Sequence, residues 1–342
     1  MASVDSLVMA SQLQHPAPPG APPCLLAIDW GTSALRGALL DAQGRVLQER
    51  SSAQGILQVP ADGFASVFEA NFGDWTLATS PKASNVLISG MAGSRQGWRE
   101  AAYCPCPAGF AELGSALCWL DGLPPTWPAS LRMAIVPGLS TMGDKQTPDV
   151  MRGEEVQVFG ALARQQPAAE AVAAGQGFYV LPGTHSKWVR VQDGRITGFR
   201  TCMTGEFYAL LAQQSLLARS IDGAADLDAA AFVEGVQRAT SAPDASLLAT
   251  AFSVRTLGLF GRRTPGQLAS LLSGLVIGEE LRAMRPRWGD MRAIDLIGSV
   301  ALCERYALAL AEVGITTRSH GGEATWAGLH ALARACGMMP SV

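Results

Sequence analysis

The feature that most constrains the fold is a unit that occurs twice, in which a polar turn separates two short apolar strands. The first unit spans residues 25–40, with its turn at residues 31–33, and the second spans residues 178–191, with its turn at residues 182–186. A chain of 342 residues is long enough for two domains. Because one unit lies early in each half, the sequence predicts a two-domain α/β protein.

The remaining pattern mixes strands with helices. Asp193 and Gly194 predict a two-residue hairpin turn, because an Asp-Gly pair tolerates positive φ. Residues 168–177 are rich in Ala and Gly and are the predicted junction, so we expect an N-terminal domain at residues 24–172 and a C-terminal domain at residues 173–342. Further strands are predicted at 45–50, 86–89, 131–136, 195–201 and 293–297, and helices at 154–164, 207–219, 229–239, 265–284 and 325–336.

Composition excludes several classes of partner. Charged residues make up 16% of the chain and the formal net charge is −3, without a basic stripe, so we expect neither a nucleic-acid nor an acidic-membrane partner. No window has the roughly 20 uninterrupted apolar residues of a membrane span.

The seven cysteines form no C-x-x-C pair, which favours reduced thiols, including Cys104 and Cys106, and a cytoplasmic protein. Residues 1–23 are predicted to be a disordered leader.

Asp29 is the residue that interrupts the first apolar strand. Polar turns between strands present N–H groups and hydroxyls that hold phosphate oxygens, and a carboxylate beside them is favourable when Mg²⁺ is bound there. A single Asp-x-Gly-Thr would instead favour a β-turn whose aspartate bonds its own backbone, but the second turn shifts the interpretation toward two turns that bind a nucleotide across a cleft. Asp144 interrupts the nearest match to a P-loop, and no G-x-G-x-x-G opens a helix.

Six sequence blocks carry a resemblance to a known family. The motif AIDWGTSALRGALLD resembles the first phosphate motif of the sugar-kinase/actin/heat-shock-chaperone superfamily, LPGTHSKWVRV its second, and LIGSVALCERYALAL its adenosine motif. Together, the blocks IDWGTSALR, SGMAGSRQGW, VMRGEEVQVFGA, LPGTHSKWV, FRTCMTGE and LLSGLVIGEE resemble the 2-dehydro-3-deoxygalactonokinase family. They follow one another from about residue 25 toward the C-terminus.

The resemblance implies a two-domain actin-like ATPase (ribonuclease H-like) sugar-kinase fold with an interdomain cleft and a mixed five-stranded sheet in each domain. It implies phosphorylation of the 6-hydroxyl of 2-dehydro-3-deoxy-D-galactonate by ATP and Mg²⁺, in galactonate catabolism. The partners are then ATP and the sugar acid, and a homodimer is left open.

The resemblance also assigns the nucleotide site. Asp29 would hold Mg²⁺ through water, and His185 would bind phosphate rather than act as a base. Arg36 is alternatively a surface strand residue, although the motif favours a phosphate contact. The predicted nucleotide-binding residues are Gly31, Thr32, Ser33, Arg36, Gly183, Thr184, His185, Ser186 and Lys187 at the phosphates, with Gly298 and Ser299 near the adenosine.

Phosphoryl transfer to a sugar hydroxyl needs a carboxylate that orients the hydroxyl and accepts its proton. Related carbohydrate kinases have an aspartate after a glycine that opens a helix, and the matching position after Gly153 is Glu154, which departs from the aspartate pattern. Alternatively, Glu154 and Glu155 only favour the positive end of a helix. Asp149 and then Glu206 are the next candidates for the base.

The sugar acid is an anion, so its carboxylate needs N–H groups or a cation. Residues 90–98 form a glycine-rich turn that the resemblance assigns to the substrate, although such a turn with a packing tryptophan is also ordinary structure. The predicted substrate-binding residues are Gly93, Ser94, Arg95, Trp98, Arg152 and Thr204.

Three other functions compete with this one. A kinase of the same fold that acts on another sugar acid would differ in a substrate panel. A non-catalytic sugar sensor is disfavoured, because no helix-turn-helix leader is visible and both Asp29 and Glu154 are present. An actin-like filament ATPase is disfavoured by the SGMAGSRQGW and MRGEE blocks.

Overall fold

A computed structural model describes most of the chain, namely residues 21–77, 83–164, 176–241, 246–289 and 291–339. The chain divides into two compact units. Unit 1 takes its described residues from Met1–Ala102, Phe110–Gly138 and Trp326–Val342, and unit 2 from Tyr103–Gly109 and Leu139–Thr325. Across the described residues, no helix combines the length and the apolar character needed to cross a membrane.

The elements are numbered in chain order. The strands are β1 (Leu25–Trp30), β2 (Leu35–Leu40), β3 (Val46–Ser52), β4 (Asn85–Gly90), β5 (Cys104–Pro105), β6 (Cys118–Trp119), β7 (Arg132–Ile135), β8 (Leu139–Met142), β9 (Pro148–Met151), β10 (Gly177–Leu181), β11 (Ser186–Gln192), β12 (Arg195–Cys202), β13 (Ala293–Ile297) and β14 (Thr316–His320). The helices are α1 (Phe64–Thr76), α2 (Phe110–Ser115), α3 (Glu154–Arg164), α4 (Thr204–Gln214), α5 (Ala229–Thr240), α6 (Leu247–Thr250), α7 (Phe252–Leu259), α8 (Pro265–Trp288), α9 (Val300–Glu312) and α10 (Glu323–Ala335).

Unit 1 is built on a six-stranded sheet of order β3-β2-β1-β4-β7-β6. The strands β1, β2 and β3 are antiparallel neighbours, whereas β4 and β7 continue parallel to β1. The first four residues of β1 are all buried because strands flank it on both sides. Phe64, Phe68 and Phe72 recur every four residues along α1 and belong to the same buried cluster as Ile28.

Unit 2 contains a five-stranded sheet of order β12-β11-β10-β13-β14. Here too the first three strands are antiparallel neighbours and the last two run parallel to the first. Apolar residues of α5, α8 and α9, including Phe232, Leu281 and Leu310, pack with Val180 and Leu296 of the sheet. The helices therefore bury the central strands and leave the ends of the sheet for polar residues.

The two sheets confirm the repeat that the sequence shows. In each, the polar turn joins the first strand to the second, and the order within the shared five strands is 3-2-1-4-5. This arrangement confirms the predicted two-domain, ribonuclease H-like fold. The expected five strands are found in unit 2, whereas unit 1 gains β6, a two-residue strand that pairs antiparallel with β7 at the sheet edge.

The division into units differs from the predicted boundary between residues 172 and 173. β8 and β9 pair with each other in a separate three-stranded sheet. Asp149 on β9 accepts hydrogen bonds from the backbone N–H and the hydroxyl of Thr201 on β12, each at 2.7 Å. These contacts hold the chain from Leu139 onward in unit 2, and the chain from Trp326 onward belongs again to unit 1.

Two sequence predictions concern residues that the structure does not describe. Most of the predicted junction at residues 168–177 lies outside the described residues, which end at 164 and resume at 176. Residues 1–20 of the predicted leader also lie outside them.

Most predicted secondary structure is confirmed. The helix at residues 154–164 has the same bounds as α3, and Asp193 and Gly194 form the β11–β12 hairpin turn with φ of 51° and 70°. The predicted helix at residues 207–219 is instead α4 followed by a short 3₁₀ helix. The sequence does not predict β5, β6, β8, β9 or β14, because four of these strands have four residues or fewer and β14 is a polar edge strand.

Candidate active site

The first turn, residues 31–34, is a short polar connection between β1 and β2. The Gly31 N–H donates to the Ala34 carbonyl at 2.9 Å, and the Gly31 carbonyl accepts from Ile56 N–H at 3.0 Å. Thr32 and Ser33 at the tip are exposed. The turn is therefore fixed by backbone hydrogen bonds while its two hydroxyls face solvent.

Asp29 lies one residue before the end of β1, directly opposite Arg36 on β2. Arg36 Nη2 donates to Asp29 Oδ2 at 2.5 Å, and both side chains are partly exposed. A Cβ at position 90 would lie 3.2 Å from Asp29 Oδ1, so glycine at that position leaves room beside this oxygen. Gly90 also has φ of +86°, a conformation that other residues rarely adopt.

The number of donor groups near Asp29 bears on whether a metal ion could be held there. Among the described residues, no group of three or more His, Cys, Asp or Glu side chains could hold a metal ion. Mg²⁺ keeps several waters and commonly uses one or two carboxylates together with substrate phosphates. A single carboxylate such as Asp29 would suit a hydrated Mg²⁺ that arrives with a nucleotide.

The glycine-rich segment after β4 contains all four predicted substrate residues of unit 1. Gly93 is buried at the end of a 3₁₀ turn, and the Oγ of Ser94 is buried without a partner among the described residues. Arg95 is 87% exposed and pairs with Glu100 at 3.2 Å. Trp98 packs edge-on against Trp30, with ring centroids 6.0 Å apart, so its ring belongs to the aromatic core of unit 1.

The second turn, residues 182–185, joins β10 to β11 and is contacted by the start of α4. The backbone N–H of Glu206 donates to the Thr184 carbonyl at 3.0 Å, and His185 Nε2 lies 2.5 Å from Glu206 Oε2. A Cβ at Gly205 would lie 2.4 Å from the Gly183 carbonyl oxygen. Glycine at position 205 is therefore required for α4 to approach the turn this closely.

Below the second turn, Glu280 of α8 is a buried carboxylate that collects four hydrogen bonds. Oε1 accepts from Ser186 Oγ at 2.8 Å and from Trp188 Nε1 at 2.5 Å. Oε2 accepts from Tyr306 at 2.7 Å and from the Thr204 hydroxyl. Burial raises the pKa of Glu280, although all four donors oppose that shift. One carboxylate thus ties the start of β11 to α4, α8 and α9.

Glu154 opens α3 and lies against Lys187 of the second strand pair. Lys187 Nζ is 3.2 Å from Glu154 Oε1, and the lysine side chain is only 5% exposed. The Arg152 N–H donates to Glu154 Oε2 at 2.9 Å. The Glu154 side chain remains 27% exposed, so it is fixed by these contacts but still accessible.

The neighbouring carboxylates have different surroundings. Glu155 is fully buried, accepts from Gly153 N–H at 2.7 Å through Oε2, and has no partner for Oε1 among the described residues. Burial, together with the charge of Glu154, raises the pKa of Glu155 to about 8. Asp149 uses both oxygens to accept from Thr201. Of the two glutamates at the start of α3, Glu154 is therefore the accessible one.

An apolar pocket lies beside the second turn. Gly183, Tyr208, Ile277, Leu302 and Tyr306 are among its lining residues. The pocket contains side chains of α4, α8 and α9, all within unit 2. Its mainly apolar walls adjoin the polar second turn.

The predicted adenosine residues lie at the β13–α9 junction. Gly298 approaches the second turn, since a Cβ there would lie 3.4 Å from the Pro182 carbonyl oxygen. Ser299 is exposed and precedes the first residue of α9. Arg152, a predicted substrate residue, stacks its guanidinium over the Tyr103 ring at 4.4 Å.

Comparisons with known proteins decide the family. The model of the 2-keto-3-deoxy-galactonokinase family matches residues 29–332. A probable 2-dehydro-3-deoxygalactonokinase of Rhizobium meliloti (strain 1021) is 37% identical over 314 residues, covering 90% of this chain and 96% of the relative. The 2-dehydro-3-deoxygalactonokinase of Escherichia coli (strain K12) is 33% identical, covering 91% and 97%. The chain belongs to the 2-keto-3-deoxy-galactonokinase family.

A solved structure agrees with this family assignment. The crystal structure of a protein from Sinorhizobium meliloti, described as a 2-dehydro-3-deoxygalactonokinase, superposes with a TM-score of 0.81 at 36% identity. It covers 91% of this chain, and the match covers 98% of that protein. All predicted site residues of this family member lie within the segment that the family model matches.

The structure brings the predicted residues together in groups and adds others. Glu154, Lys187 and Arg152 form one group, and Asp29, Arg36 and the first turn form another. Glu280, Gly205 and the apolar pocket are features that sequence reasoning missed. The sequence signal for Glu280 is the pair of carboxylates, Glu279 and Glu280, that ends the apolar run LLSGLVIGEE, because a carboxylate that such a helix buries needs hydrogen-bond partners.

Proposed function

We propose that this protein phosphorylates 2-dehydro-3-deoxy-D-galactonate at its 6-hydroxyl with ATP, giving 2-dehydro-3-deoxy-6-phospho-D-galactonate in galactonate catabolism. The observation that carries the proposal is that the family's relatives, two of them named as this kinase, align over at least 90% of this chain. The matching sheets, each with a polar turn between its first two strands, support nucleotide binding.

The nucleotide is proposed to use residues of both turns. The adenine ring occupies the apolar pocket near Tyr208 and Ile277, with Gly298 and Ser299 toward the adenosine. The phosphates contact backbone N–H groups and hydroxyls of the turns, and they are neutralised by Arg36 and Lys187. Asp29 would hold Mg²⁺ through water, and the metal, when bound, would supply positive charge beside the phosphate oxygens. Glu280 acts indirectly by fixing Ser186 and Thr204.

Glu154 is proposed as the general base. It is partly exposed, and its two oxygens are fixed by Lys187 and the Arg152 N–H. It orients the acceptor 6-hydroxyl and takes its proton as the new O–P bond forms, while the bond between the γ-phosphorus and the ADP oxygen breaks and ADP leaves. Asp149 is less suited because its two oxygens already accept three hydrogen bonds, two from Thr201 and one from the Val150 N–H, and Glu155 is less suited because it is buried.

The sugar-acid carboxylate is proposed to bind the segment with Gly93, Ser94 and Arg95, with a further contact from Arg152. Ser94 supports this because its buried Oγ has no protein partner among the described residues. Trp98 and Thr204 are proposed to support the site from within the cores of their units, since Trp98 packs on Trp30 and Thr204 donates to Glu280.

We also propose a cytoplasmic location. All seven cysteines are free thiols. Burial raises the pKa of Cys106 and of Cys202 to about 12, so neither is an activated thiolate at neutral pH. Reduced, unreactive cysteines are typical of proteins from a reducing compartment.

A coupled ATP-consumption assay with a panel of 2-keto-3-deoxy sugar acids tests the activity. We expect turnover that depends on both Mg²⁺ and the galactonate derivative. Preference for another sugar acid would support the same-fold kinase of different specificity, and nucleotide binding without turnover would support a sensor.

The matched pair Glu154→Gln and Glu155→Gln tests the base. General-base help contributes about 10²–10⁴-fold, so kcat of Glu154→Gln should fall by about that range while nucleotide affinity changes little. Glu155→Gln replaces a buried carboxyl with a side chain of the same shape and should retain most activity. A severe kcat loss in Glu155→Gln alone would contradict the assignment of Glu154. If neither variant loses activity, Asp149 and then Glu206 become the candidates for the base.

A further inference from the structure

Unit 2 contains a second open pocket, of about 450 Å³, whose lining includes none of the proposed kinase-site residues. Along β11, Ser186 and Trp188 point toward Glu280 on α8, whereas Lys187 between them contacts Glu154. Successive strand residues point to opposite faces. Arg190 therefore shares the Trp188 face, and the pocket that it lines lies across the sheet from Glu154.

The pocket also lies farther along β11 and α8 than Ser186 and Glu280, the residues that support the second turn. Arg190 is four residues beyond Ser186, about 13 Å along the strand. On α8, Met284 and Arg287 line the pocket and follow Glu280 at helical spacings of four and seven residues, on the same face. The pocket is thus separate from both the apolar nucleotide pocket and Glu154.

Three arginines give the pocket its charge, namely Arg190, Arg200 and Arg287. Arg287 forms an ion pair with Asp144 at the tip of the β8–β9 hairpin. Among the described residues, neither Arg190 nor Arg200 has a carboxylate partner within ion-pair distance. The pocket therefore has two guanidinium groups available in excess of its one lining carboxylate.

The rest of the lining is mixed in character. Phe178, Phe199 and Met284 supply apolar surface, and Arg190 lies over the Phe178 ring with its guanidinium carbon 5.6 Å from the ring centroid. Thr141 and Thr197 add hydroxyls. Guanidinium groups bind carboxylate and phosphate oxygens in bidentate geometry, and pockets of this size hold small molecules.

We propose that this pocket is a second ligand site, which binds a small organic anion through Arg190 and Arg200, with the carbon skeleton against the apolar wall. Phosphate esters and polycarboxylates both present anionic oxygens that two guanidinium groups can bind. The inference rests on the pocket alone and stands whether or not the proposed kinase activity is correct.

Calorimetric titration of the whole protein with inorganic phosphate and, separately, with citrate tests the site. We expect at least one probe to bind the native protein, and Arg190→Gln/Arg200→Gln to weaken that binding by at least about tenfold, because two charge-assisted contacts are lost. Tighter binding of phosphate would indicate a phosphate ester, and tighter binding of citrate a polycarboxylate. The double variant Arg219→Gln/Arg292→Gln is the charge-matched control, since both of its arginines are exposed in unit 2 outside the pocket.

A second variant keeps the test independent of charge and of misfolding. A Cβ at Gly198 would meet Thr141 Oγ1 at 3.5 Å, an ordinary contact, so Gly198→Leu should fold and fill the pocket while leaving the arginines in place. It should weaken binding as the arginine variant does. The proposal is overturned if neither probe binds the native protein, or if the pocket variants and the control bind as the native protein does.

Discussion

Replacing Glu280 tests whether one buried carboxylate supports the second turn. Its four donors come from Ser186, Trp188, Thr204 and Tyr306. In Glu280→Leu all four lose their acceptor inside the core. A buried donor left unpaired costs about 1–3 kcal/mol, and hydroxyls can partly escape that cost by turning toward other acceptors. The indole N–H cannot turn.

We therefore expect Glu280→Leu to destabilise unit 2 by roughly 3 kcal/mol or more, even though the variant removes the cost of burying a charge. Glu280→Gln should cost only about 1 kcal/mol. Its amide oxygen can replace Oε1 for Ser186 and Trp188, and the hydroxyls of Thr204 and Tyr306 can turn to accept from the amide NH₂. The two variants thus separate loss of the acceptor from loss of charge.

Differential scanning calorimetry and the KM for ATP provide the two readouts. Since each kcal/mol lowers Tm by about 2–4 °C, the leucine variant should melt several degrees lower, and the looser second turn should raise its KM for ATP. Glu279→Leu is the neighbouring control, because Glu279 is partly exposed and, among the described residues, pairs with Arg282 of the same helix alone. The reasoning is refuted if Glu280→Leu matches the native protein in both readouts, or if Glu280→Gln is as damaging as Glu280→Leu.

Three other perturbations have definite expected outcomes. Asp29→Ala should leave a folded protein with little phosphotransfer, because the metal-bound triphosphate loses its anchor; activity near the native level at saturating Mg²⁺ would contradict this. Burial raises the pKa of Glu155 from 4.5 to about 8, so the folded state binds more protons in that range and native stability should fall as pH rises through it. Glu155→Gln should lack this fall in unfolding measurements across that range, and an unchanged slope would refute the cause. Gly205→Ala should raise the KM for ATP because its Cβ would lie 2.4 Å from the Gly183 carbonyl oxygen, whereas Gly223→Ala, with open space around it, should not.

The local features of this fold could be predicted from sequence because their causes are local. Apolar runs bounded by polar turns predict β1, β2, β10 and β11, and the Asp-Gly pair predicts the turn after β11. The start of α3 at Glu154 follows from two carboxylates at a helix N-terminus.

Other features depend on contacts between distant parts of the chain. Glu280 bonds Ser186 across 94 residues, and no local pattern identifies its four donors. The unit boundary depends on Asp149, which bonds Thr201 across 52 residues and holds β9 beside β12. Trp98 illustrates a further limit, because a tryptophan in a glycine-rich turn suits either a ligand or a core. Here the Trp98 ring packs against Trp30, which lies 68 residues earlier in the sequence, and Trp98 therefore belongs to the core.

The alternation of β11 links the proposed sites of unit 2. Lys187 contacts the carboxylate that we propose as the base, Ser186 and Trp188 hold the buried carboxylate beneath the second turn, and Arg190 lines the second pocket. Each role depends on the face to which the residue points, and a slip of one residue in a strand exchanges the faces. A slip would therefore move Arg190 or Lys187 to the opposite face of the sheet, where its buried charge would have no partner. The bonds from Ser186 and Trp188 to Glu280 oppose that slip, so the same contacts that support the second turn also keep the proposed base site and the arginine pocket on opposite faces of the sheet.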